Sequence, residues 1–152
     1  MAAMTRIARA PFSSRAFRLT ASSMFLYCAA AALLRVCLYL WTHVSGMALE
    51  VPRASLTFMP IPDLIFGGLF GWLAVEAMRG RFVRRGETVF TICILNIANL
   101  VVYAVIFHRW TDGRAFGLSN LSTYIHVALP VAICLIAGAL ALKAISPHRP
   151  AM

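Results

Sequence analysis

Four long apolar runs separated by short polar segments set the pattern of the chain: Ala21 to Gly46, Ile61 to Met78, Thr88 to Phe107 and Thr123 to Ile145. A helix needs roughly 20 apolar residues to cross a hydrocarbon core about 30 Å thick. Each run approaches or exceeds that length. The pattern therefore predicts an all-α, polytopic membrane protein, an antiparallel four-helix transmembrane bundle forming a single domain over residues 1–152. The second run, with 18 residues, is the shortest and has to stand nearly upright. Pro60 and Pro62 suit its first turn, and Asn120 or Ser122 suits a cap on the fourth.

The polar segments between the runs predict orientation. Four Arg precede the first run, four more (Arg79, Arg81, Arg84 and Arg85) lie between the second and third, and Lys143 and Arg149 end the chain. The alternate side holds only Arg53, Arg109 and Arg114. Positive residues collect on the cytoplasmic side, so both termini and the middle loop are expected there. Trp41, Phe58, Trp110 and Tyr124 then fall at the outer boundary, where amphipathic rings gather. The loops, Met47 to Pro60, Arg79 to Glu87 and His108 to Ser122, are too short to hold another domain.

Composition agrees with this picture and narrows it. A hydrophobic content of 61% with a mean hydropathy of +0.81 makes lipid the main solvent. The net charge of +9 clusters outside the runs, which reads as topology and not as a nucleic-acid surface. The expected partners are the lipid bilayer and other membrane subunits, or further copies of the same chain in a homo-oligomer. Although Arg6, Arg9, Arg15 and Arg18 resemble a mitochondrial presequence, the expectation is a retained cytoplasmic tail, in a bacterial inner membrane rather than a mitochondrial one. Cys28, Cys37, Cys93 and Cys134 all fall within apolar runs without CxxC spacing, so free buried thiols are expected.

Polar residues inside the runs are the candidate chemistry. Arg35 lies near the middle of the first, where a charge costs at least about 2.5 kcal/mol and has to find a partner or a water-filled space. Helical spacing puts Cys28, Arg35, Tyr39, Thr42, His43 and Gly46 on one side. The third run carries Asn96, Asn99 and Tyr103, with Asn99 near the depth of Arg35 and in hydrogen-bonding reach of it. On the fourth, Pro130 cannot donate to the carbonyl of His126, an acceptor that Arg35 is long enough to meet. The second offers Asp63 and Glu76, one possible counter-ion on either side of Arg35. Ligand or partner binding is thus assigned to Arg35, Tyr39, His43, Asp63, Asn96, Asn99, Tyr103 and His126, and close helix packing to Gly67 and Gly71.

Three functions stay open on this reading. The first is a small non-catalytic subunit or accessory protein of a larger inner-membrane complex. The second is a small oligomeric transporter or channel with an Arg and Asn pathway, although inverted repeats and paired broken helices are lacking. The third is a membrane enzyme or a haem or metal carrier using His43, His108, His126 and Asp63. No HxxxH or HExxH pair supports a metal, no paired-carboxylate or GxSxG signature supports catalysis, and no cofactor is assigned.

Overall fold

The computed structural model describes residues 12, 14–44, 60–110 and 124–146, leaving aside the side chains of residues 42, 43, 105–110 and 124. Helix α1 covers Arg15–Val44, α2 Pro60–Met78, α3 Gly86–Trp110 and α4 Leu129–Ile145. A short 3-10 turn, Val83–Arg85, leads into α3, and a π-helical turn, Tyr124–Ala128, leads into α4. Four helical spans, the fourth running from Ile125 in the π turn through α4 to Ile145, are long and apolar enough to cross a membrane. Both long connections, with Phe58, Asn120 and Ser122, lie outside the described residues, as do the side chains of Trp110 and Tyr124.

Two helix boundaries depart from the apolar runs for identifiable reasons. Helix α1 starts at Arg15, before the expected Ala21, because Arg15 to Thr20 contains no breaker and Ser14 caps the end: its Oγ accepts the N–H of Phe17 at 3.1 Å. The fourth run is not one uniform helix. Pro130 lacks the N–H that would bond to His126, and the wider π turn precedes the proline where an α-helical ladder would have to break.

The turn after α2 is set by Gly80. The N–H of Gly80 bonds to the carbonyl of Ala77 and that of Arg81 to Glu76, both at 2.9 Å, and Gly80 takes φ +73°. This closing arrangement needs a left-handed residue, and glycine adopts it without steric cost. It turns the chain back toward the bundle, so that Phe82 is buried among Phe12, Phe17 and Phe25, with ring centroids 5.1–6.3 Å away.

Helix α1 packs closely along α2, and α3 along α4. Gly67 allows the first approach, since a Cβ there would stand 3.3 Å from Leu33. Gly71, expected to share that role, does not: a Cβ on it, or on Gly68, would meet nothing within 4 Å. The buried interior runs from the phenylalanines through Cys28, Phe70, Leu73, Cys93 and Cys134, while Leu26, Leu40, Ile65, Val101 and Leu135 are exposed on the outside. Cys37 is also exposed, which corrects the expectation that every thiol is buried, because it falls on the outer face of α1.

Candidate functional site

The polar core is assembled from α1, α2, α3 and the π turn that leads into α4. Arg35 on α1 is 1% exposed and forms a two-point contact with Asp63 in the first turn of α2: Nε donates to Oδ2 at 3.0 Å and Nη2 to Oδ1 at 2.7 Å. Such fork-on-fork geometry fixes the planes of both groups as well as their separation. Nη1 donates to the carbonyl of His126 at 2.7 Å, the acceptor that Pro130 cannot serve. Three of the five guanidinium N–H groups thus meet oxygen.

A second layer closes around this pair. Asn99 on α3 donates from Nδ2 to Asp63 Oδ1 at 3.3 Å, so its partner is the acid and not Arg35 itself. One turn further along α3, the Tyr103 ring stands 5.9 Å from Arg35 Cζ, within cation–π range. Tyr39, one turn on from Arg35, meets Tyr103 edge to face at 6.1 Å. Of the two acids on α2, only Asp63 reaches Arg35. Glu76 is taken at the other end by Arg79 and Arg81 at 3.3 Å and Arg85 at 3.4 Å.

Deeper along the same interior lies a thiol cluster that residue spacing along the chain does not assemble. Asn96 Nδ2 donates to Cys134 Sγ at 3.4 Å, and Cys28, Cys93 and Cys134 are all buried in the same core cluster. A partial signal exists on α3: Val89, Cys93, Asn96 and Leu100 recur at helical spacing, and all four are buried. Among the described residues, two buried polar atoms of this interior have no partner, Asn96 Oδ1 and His126 Nδ1. Among the described residues, no group of three or more His, Cys, Asp or Glu is arranged to hold a metal ion.

Of the residues assigned to a site from sequence, Arg35, Tyr39, Asp63, Asn99, Tyr103 and the His126 backbone converge, and Asn96 joins the thiols. The side chains of His43 and His108 lie outside the described residues. Chemically, the converged set is a charge pair held by dipoles and an aromatic face. Its strongest donors and acceptors are spent on one another. No family model matches this chain, and neither a curated protein nor a solved structure resembles it closely enough to bear on what it does.

Proposed function

We propose that this chain is a small non-catalytic subunit or accessory protein of a larger bacterial inner-membrane complex, an antiparallel four-helix bundle with both termini in the cytoplasm. The observation that carries the reading is the internal matching of Arg35, whose charge is met by Asp63 and whose remaining contact goes to the His126 carbonyl. Two of the five Arg35 N–H groups make no hydrogen bond among the described residues, but the positive charge that would draw an anionic substrate is already balanced by the Asp63 carboxylate. Here the ionic group serves to lock helices together, as expected of a part whose task is to hold its shape in lipid.

The outer surface of α2 supports association with a partner. Gly68 and Gly71 leave open space beside the exposed Leu64, Ile65, Trp72 and Val75, a shape that lets another helix backbone approach. Gathering of positive residues supports the orientation: Arg18 packs on Gly80, and Ile145 on Gly86, so the basic ends of α1, α2, α3 and α4 meet.

Extraction in mild detergent followed by native mass analysis tests the reading. The expected result is a species heavier than the 16.7 kDa chain, containing other membrane polypeptides. Gly68→Leu should weaken that association without lowering the melting temperature of the chain itself, because the added side chain points into open space. A lone monomer that carries ions or solutes across vesicle membranes would overturn it.

A further inference from the structure

The basic end of the bundle contains an open cavity of about 630 Å³ between the turn after α2, the start of α3 and the end of α4. Phe12, Val83 and Ile145 give it apolar walls, and Arg84, Arg85 and Glu87 give it charge. Arg85 is committed elsewhere, with Nε on Glu76 and its guanidinium 5.4 Å from the Trp72 ring centroid. Arg84 and Glu87 differ from it. Among the described residues neither has an ion-pair partner, although they line the same cavity and carry opposite charges. Arg18, packed on the lining residue Gly80, has a buried Nε–H without an acceptor among the described residues.

A ligand suited to these walls carries a negative and a positive group close together on an apolar stem. We infer that the cavity binds the head group of an ammonium-bearing phospholipid of the phosphatidylethanolamine class, with the phosphate on Arg84 and the primary ammonium on Glu87. The volume lies within the usual range for small-molecule sites, and the apolar walls accept the glycerol and the first acyl carbons. The assignment rests on the membrane-spanning reading, which places this end of the bundle at the head-group level. Positive charge alone would favour any anionic lipid. Glu87 is what turns the preference toward a head group that can donate hydrogen bonds.

Native mass spectrometry of the full chain titrated with phosphatidylethanolamine, phosphatidylglycerol or phosphatidylcholine tests this, with soluble glycerophosphoethanolamine as a fourth arm. Phosphatidylethanolamine should be retained best. Arg84→Ala should weaken it by about tenfold, the loss expected of one charge-assisted hydrogen bond. Glu87→Gln should erase the preference over the other two lipids. Arg81→Ala removes the same charge from the same turn but outside the cavity lining, and should leave retention unchanged. Equal retention of all three lipids, or equal losses for Arg84→Ala and Arg81→Ala, would overturn the inference. Equal retention of the soluble head group would overturn lipid as the occupant. Alkaline extraction of membranes separates the two levels: a chain that washes off refutes the membrane reading itself, whereas one that stays but shows no selectivity refutes only the lipid site.

Discussion

Asp63 and Glu76 sit near opposite ends of α2, and their side chains are almost equally hidden, at 2% and 4% exposure. Their partners are not alike. Asp63 faces a single guanidinium that is 1% exposed, whereas Glu76 faces three that are 44–60% exposed. Water and salt can replace an exposed arginine at little cost, but nothing replaces a buried one. The number of ion pairs around an acid is therefore a poor guide to how much it holds. One pair at the Asp63 end ties α1 to α2 and, through Asn99 and the His126 carbonyl, reaches α3 and α4. Three pairs at the Glu76 end join only α2 to the turn that follows it.

The largest break in this comparison comes from removing one member of the buried pair. Arg35→Met leaves Asp63 buried without its counter-charge, with Asn99 as its remaining side-chain partner among the described residues, and should destabilise the bundle by about 3–5 kcal/mol. Asp63→Leu should do the same from the other side. The double variant should recover most of the loss, since replacing a buried pair by apolar groups of similar volume is often neutral. Thermal unfolding of the three variants in one detergent measures this. Simple addition of the two single losses would show that Arg35 and Asp63 are not coupled.

The turn that returns Arg81 to Glu76 is the next point of attack. Gly80→Ala forces a side chain into φ +73° and should cost about 1 kcal/mol, the usual penalty of a left-handed residue that bears a Cβ. The strain and not a clash is the cause, because the nearest atom to such a Cβ would be Arg18 Cδ at an ordinary 3.4 Å. Asn99→Leu should come below that, at about 0.6 kcal/mol, the average found for hydrogen bonds between membrane helices. A larger loss, read as a lower unfolding midpoint, would mean that Asn99 orients Asp63 for Arg35 in addition to bonding it.

How much of the fold and of the polar core is legible in the sequence depends on the range of the contact. The four helices follow from run length, and the bond from Arg35 to the His126 carbonyl follows from Pro130, because proline deletes a donor wherever it stands. The choice of Asp63 over Glu76 does not follow. Both acids lie on the same helix, and which end of α2 comes to lie beside Arg35 depends on how α1 packs along α2, with Leu33 against Gly67, a contact between helices that spacing within either one does not reveal. The thiol cluster is hidden for a related reason. Cys28, Cys93 and Cys134 come from three helices, and spacing within a helix says which face a residue is on but not what that face meets.

Glu76→Gln should produce the smallest change, and salt is the way to read it. The substitution keeps the shape of the side chain and most of its hydrogen-bonding capacity, and removes one charge that faces three exposed guanidiniums. Each of those already trades its contact with water, so the unfolding midpoint should fall only slightly at low ionic strength. Raising the salt shortens the screening distance from about 10 Å at 0.1 M to about 3 Å at 1 M, and the gap between variant and parent should close. The loss in Arg35→Met should persist under the same titration, because ions do not enter the interior that surrounds that pair. If instead both losses shrink together with salt, the Asp63 end is reached by solvent, and the contrast between the two acids of α2 disappears.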